Sequence, residues 1–350
     1  MLSTFSSNVV LAKARAMYGR RITAQQYQDL LNCHNVTEIA RYLLNNTDYS
    51  RVLAGINDRE IYRGQLENRL KHKLFEDAAS LCRYELSIGD VFGGYLLQRT
   101  EIEQILSALL HLNADMSKEY YFSMPLALAA HSHIDLVALS NADSFDAILA
   151  SLIHTPYRAL LLPFRPSDYE APLEYTQIEN VLYTYLYSHL YEIIDKHAMR
   201  GTKKDLKEIV DTYLDLTNFA RILRLKEYFQ DGPDHIRNSL LPFGSLKGSD
   251  IEKMLYAKDT DEVRELLGKT YLGKRAAKIP YHFPDQLAER SMYKICKHNI
   301  HFSIHPSVVM LSYFFYTQIE LMDIINIVEG TRYQLPSEEM KKLIAFSDFQ

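Results

Sequence analysis

The sequence predicts an all-α fold on three observations. Apolar residues fall at helical spacing, convincing alternating strand patterns are absent, and one two-part helical pattern occurs three times. The first part runs from Val36 through Thr47 to Tyr49. It returns from Ser144 through Thr155 to Tyr157, and again from Thr260 through Thr270 to Tyr271. Each copy reads as a short amphipathic helix that starts from a polar cap and stops at Thr and Tyr. The second part is an acid followed three residues later by an amide or acid inside an apolar helix: Glu101 with Gln104, Asp215 with Asn218, and Glu320 with Asp323. The threonines are 108 and 115 residues apart and the acids 114 and 105, so two independent markers keep one period. This predicts three helical units, 1–118, 119–232 and 233–350, that bury apolar faces against one another around a shared axis.

Taken in order, each unit reads as a cap and short helix, a longer connector helix, and an apolar helix with the polar pair. Val10, Ala14 and Met17 share one helical face at the start, and no proline precedes Pro125. The connector helices echo one another weakly, as Leu66-Glu-Asn-Arg-Leu70, Ile178-Glu-Asn-Val-Leu182 and Ala288-Glu-Arg-Ser-Met292. Four prolines between Pro156 and Pro172 mark the longest irregular segment of the second unit. Gln230-Asp-Gly-Pro233 and Leu241-Pro-Phe-Gly-Ser245 punctuate the passage into the third, where Pro306 sits near the start of the last long helix.

Composition narrows the function. A net charge of −5 argues against nucleic acid as the principal partner. No uninterrupted apolar stretch approaches the roughly 20 residues a spanning helix needs, so no transmembrane segment is expected. Cys33, Cys82 and Cys296 form no CxxC and suggest a reduced compartment. The first acid is Asp29, which leaves Lys13, Arg15, Arg20 and Arg21 as a basic N-terminal stretch. That stretch is a candidate contact for an acidic partner or lipid headgroups, although a solvated helix face is the plainer reading.

The signatures of common enzymes fail. Gly268-Lys-Thr270 resembles the end of a phosphate-binding loop, but Val263 occupies the required earlier glycine position. The densest metal-competent set is Cys296, His298, His301 and His305, the three histidines at spacings that share a helical face; His131-Ser-His133 is weaker. The first group has no carboxylate close by, and no metal or cofactor is expected. A polar pair in an apolar helix must find partners or cost about 1–3 kcal/mol per unsatisfied group. Active sites rarely recur three times in one chain, so structural hydrogen bonds between packed helices are expected of the six polar residues. Tyr183, Tyr187 and Tyr191 form a stripe best read as interhelix packing.

Leu11-Ala-Lys-Ala-Arg-Ala-Met17, the Thr and Tyr endings, Glu101-Ile-Glu-Gln-Ile-Leu106 and the tail Glu329-Gly-Thr-Arg-Tyr-Gln-Leu-Pro-Ser-Glu-Glu339 resemble the C subunits of the A/V-type (vacuolar-type) rotary ATPases, the family that includes the eukaryotic d subunits. The resemblance spans essentially the whole chain. It implies a funnel of three similar domains with pseudo-threefold symmetry, without catalytic residues or a small-molecule substrate. It also implies a cytoplasmic, membrane-peripheral place on the proteolipid ring, with the D and F subunits of the central stalk received in a central cavity. The family's asparagine after the acid stands here only as Asn218, with Gln104 and Asp323 at the other two positions. The competing readings are a free-standing repeat scaffold for soluble proteins and, third, a metal-dependent helical enzyme.

Overall fold

Polar caps start the short helices close to where the sequence places them. The side chains of Asn35, Ser144 and Asp259 accept from the backbone N–H groups of Glu38, Ala147 and Glu262, each satisfying a donor that the first helical turn leaves unpaired. The computed structural model describes residues 2–56, 61, 63–113, 132–166, 173–230 and 232–349. Among the described residues there are helices and turns and no strand.

The first third of the chain contains α1 (Leu2–Gly19), α2 (Ala24–Leu31), α3 (Val36–Asn46) and α4 (Ser50–Leu53), followed by the long α5 (Arg63–Cys82) and α6 (Gly89–Asn113). The second contains α7 (Leu136–Ser140), α8 (Phe145–Ser151) and α9 (Pro156–Leu161), then α10 (Tyr175–His197) and α11 (Lys203–Arg224). The last contains α12 (Pro233–Asn238), α13 (Gly248–Leu255), α14 (Thr260–Lys269) and α15 (Tyr271–Ala276), then α16 (Pro284–Phe302), α17 (Pro306–Arg332) and a terminal α18 (Ser337–Leu343). Short helices thus lead to a long pair three times over. The connector echoes fall on α5, α10 and α16, where Leu66, Leu70, Ile178, Leu182, Ala288 and Met292 are all buried.

Two expectations are amended. Pro156 opens α9 and Pro163 lies in a 3-10 turn, Leu162–Phe164, so part of the proline-rich segment is helical. Proline suits a first helical turn because the missing N–H would have no partner there. Pro125, Pro172 and the expected boundary at 118/119 lie outside the described residues. In the third copy Tyr271 is exposed, and Leu272, two residues beyond Thr270, is buried at the spacing of Tyr49 and Tyr157. That copy therefore lacks the tyrosine of the other two.

The core is dominated by α17, which packs on α1, α3, α5, α11, α16 and α18. It is long and apolar enough to cross a bilayer, but 89% of its apolar window is buried inside the protein. The uninterrupted-run criterion misses this helix because Ser312, Thr317, Gln318 and Glu320 punctuate it. A smaller second core joins Leu216, Phe219 and Leu223 of α11 to Met254, Val263 and Leu287 in the last third.

Candidate functional site

The three long apolar helices α6, α11 and α17 each carry one polar pair in mid-helix, and Glu101, Asp215, Asn218, Glu320 and Asp323 find partners outside their own helices. The acid of each pair accepts from the next part of the chain. Glu101 accepts from the Ser132 hydroxyl at 3.1 Å, the His133 N–H at 2.5 Å and the Tyr157 hydroxyl at 2.7 Å. Asp215 accepts from the Ser245 N–H and hydroxyl, both at 2.8 Å, and from the Leu246 N–H at 3.1 Å. Glu320 turns back to the beginning, accepting from the Ile22 N–H at 3.0 Å and the Tyr49 hydroxyl at 3.0 Å. The circuit therefore runs from the first third to the second, to the last, and returns to the first.

The second member of each pair lies one helical turn on, facing the same side. Asn218 makes a two-way bond with the backbone of Leu241, donating to its carbonyl and accepting from its N–H, each at 2.9 Å. Asp323 accepts from the N–H groups of Ala345 at 2.6 Å and Phe346 at 3.0 Å, and from the Tyr27 hydroxyl at 3.3 Å. Gln104 is buried in the corresponding position of α6. Arg221, a further turn along α11, donates to the Ser239 carbonyl at 2.9 Å, and Asn326, at the same place on α17, donates to the Leu343 carbonyl at 3.0 Å.

Burial sets the electrostatics of these acids. It raises Asp323 to about 8, against the pull of its backbone donors, and lifts Glu320 and Asp215 above the usual carboxylate range. Raised acids are candidates for proton transfer in general. Here the carboxylates are at most 6% exposed and occupied by donors of the chain itself, which leaves no room at them for a substrate. The shorter Asp215 reaches its loop because Gly244, at φ +124°, lets the backbone approach. A Cβ there would stand 2.0 Å from the Asp215 Oδ1.

The four N-terminal cations are spread over different contacts. Arg15 caps the end of α16 through the carbonyls of Ile300 and Ser303, both at 2.8 Å. The Lys13 ammonium lies 4.8 Å from the Tyr84 ring centre, and Arg21 covers the ring of Tyr18. Arg20 pairs with Asp48 at 3.4 Å and stays largely exposed.

No group of three or more metal-competent side chains gathers among the described residues. α16 ends at Phe302, so His305 leaves the face that His298 and His301 share and instead precedes α17. Cys296 is fully buried, which pushes its thiol up. His298 lies against Phe302, and His301 meets the Tyr18 ring edge-on. His133 belongs to the Glu101 junction; His131 lies outside the described residues. Tyr187 is buried between Tyr183 and Tyr213, and Tyr191 stacks on Phe243 and donates to Asp211, so the stripe packs helices together.

The sequence offered the acids but not their partners. Tyr49 and Tyr157 held the same place in two copies of the first marker, and that was the available signal. Ile22, Ser245 and Ala345 contribute backbone groups, which no residue pattern announces.

A comparison with curated proteins returns no match. The family model described as the ATP synthase (C/AC39) subunit matches residues 10–343, which takes in all three polar pairs. The chain therefore belongs to the C/AC39 family of A/V-type ATPase subunits.

Proposed function

We propose that this protein is the rotor adaptor of its ATPase. It links the D and F subunits of the central stalk to the membrane proteolipid ring and transmits torque for ATP-coupled proton or sodium transport. The observation that carries this reading is the circuit of buried hydrogen bonds, which ties the last third of the chain back to the first. A body that passes torque must resist shear between its parts. Satisfied polar networks in a close-packed core supply that stiffness, because each bond is strengthened by the low dielectric around it. Three units joined in a closed circuit would form a funnel around an axis, its cavity receiving the stalk. The six polar residues then have a structural role, and Lys13, Arg15, Arg20 and Arg21 orient the protein on the membrane-side partner. Its place is the cytoplasmic face of the membrane.

The test is a tagged pull-down from gently solubilised membranes, with partners identified by mass. Recovery of a small proteolipid together with the stalk and ATP-hydrolysing subunits is the expected outcome. Recovery from the soluble fraction alone, without proteolipid, would move the function to a scaffold for soluble proteins. Charge reversal at the four N-terminal cations should weaken recovery of the ring, most at low salt; unchanged recovery at every salt concentration would remove them from that contact.

A further inference from the structure

Each connector helix turns into its apolar partner through a short segment, and the three turns carry exposed apolar side chains. Leu86 is 69% exposed, Met199 58%, Phe302 72% and Ile304 76%. Single exposed apolar residues are ordinary, but a group of them at one place marks a contact surface. The turns belong to one end of the molecule. Lys13 lies over Tyr84 in the first turn, while Arg15, two residues along α1, holds Ile300 and Ser303 at the third. A cleft of about 680 Å³ then joins Asp205 and Glu208, just beyond the second turn, to Phe302 and Ile304 of the third, with Lys278 and Lys294 also lining it. Ser291 lines the same cleft, and its buried hydroxyl has no hydrogen-bond partner.

The charge at this end runs against that of the chain. The protein carries a net −5, yet turn residues 83–87, 198–204 and 302–305 with the facing part of α1 hold Lys13, Arg15, Arg83, Arg200, Lys203 and Lys204. The one acid in these segments, Glu85, is spent internally on the Ser87, Ile88 and Gly89 N–H groups. Of the flanking acids Asp90, Asp195, Asp205 and Glu208, Asp195 is held by Lys203 and Lys207 and Glu208 by Arg275. Apolar tips standing among cations are what interfacial lipid contact requires, since the tips enter the headgroup–acyl boundary while the cations meet phosphate.

We propose that this end of the molecule rests directly on an anionic lipid surface, with Arg200 and Lys204 at the phosphates and Leu86, Met199, Phe302 and Ile304 inserted beside them. The inference rests on the adaptor reading only in placing the chain at a membrane. It is tested with the purified full-length chain, sedimented with vesicles of phosphatidylcholine alone or with about 30% phosphatidylglycerol. Partition should be at least about tenfold stronger on the anionic vesicles and should fall with salt. Inorganic phosphate should not displace the chain, because a free anion offers nothing to the apolar tips.

The variant R200E/K204E should lose the anionic preference, and L86S/M199S/F302S/I304S should lose most binding to both vesicle types. All six side chains are exposed, and circular dichroism verifies that both variants fold. Equal partition to the two vesicle types, displacement by phosphate, or variants that bind like the parent would overturn the inference. A chain that joins the ATPase complex but ignores vesicles would also overturn it, assigning this end to an acidic protein surface. Vesicle binding by a chain that recovers no ATPase subunits would instead sink the adaptor reading and leave this one standing.

Discussion

Asp215 and Asn218 hold one unbroken segment, Leu241–Leu246. Glu320 and Asp323, at the same positions of their own helix, hold segments from the two ends of the chain. Ile22, Tyr27 and Tyr49 come from the beginning, Ala345 and Phe346 from the tail. The hydrogen-bond plan is shared, but only the second junction also draws partners from far away in the chain. At the first junction the linker keeps the partners at high effective concentration even when their bonds break. At the second a linker of similar length carries Ala345 and Phe346, but none brings Ile22, Tyr27 and Tyr49, and contact free energy alone keeps the circuit closed through them. The sequence answers with one longer acid, Glu320, two tyrosine hydroxyls and a Tyr27–Phe346 stack at 4.3 Å. A circuit of contacts is weakest where no short linker holds the partners together, and here that place is the contact of Ile22, Tyr27 and Tyr49 with α17.

The largest test of this contrast is Glu320→Ala against Asp215→Ala. The first strands the buried Ile22 N–H and Tyr49 hydroxyl, at about 3 kcal/mol or more. The second frees partly buried donors at Ser245 and Leu246 that water can reach, costing about 1–2 kcal/mol. Denaturant unfolding of both variants decides it, and equal losses would break the comparison.

A pH titration sharpens it. Burial holds Asp323 up to about 8 and Glu320 above its usual range, whereas both ionise near pH 4 in the unfolded chain. Between roughly pH 4 and 8 the folded state therefore binds more protons, so stability should fall as pH rises through that window. Thermal unfolding of Asp323→Asn should show a shallower fall, since the amide keeps the site neutral. A slope identical to the parent's would place the pH dependence elsewhere.

The smallest effect separates the two tyrosines. Tyr49→Phe, at the unlinked junction, should cost about 1–1.5 kcal/mol and Tyr157→Phe about 1 kcal/mol or less. The difference should appear as faster hydrogen exchange around Ile22 in the first variant alone.

Much of this is legible in the chain. The caps at Asn35 and Ser144, the buried connector pairs such as Ile178 and Leu182, and the burial of the polar pairs follow from local rules of spacing and hydrogen-bond demand. The histidine spacing misleads because intervals of three and four residues imply one face only while the helix continues, and α16 stops at Phe302. Tyr271 misleads because one residue fewer separates it from Thr270, turning it to solvent and Leu272 inward. The spacing of the N-terminal cations does not announce their partners, which are the Tyr84 ring for Lys13, the end of α16 for Arg15 and Asp48 for Arg20.

By itself the sequence determined that the chain is helical, that one pattern recurs three times, and that each copy sinks two polar groups into an apolar helix. Those outcomes depend on residues within a few turns of one another, where periodicity and propensity act. Only the tertiary structure decided what satisfies those groups, because the partners are mostly backbone donors tens to hundreds of residues away, reaching 298 for Ile22 and Glu320. A buried carboxylate demands donors whatever supplies them; which segment arrives is settled by packing, and here packing brought both ends of the chain to one helix.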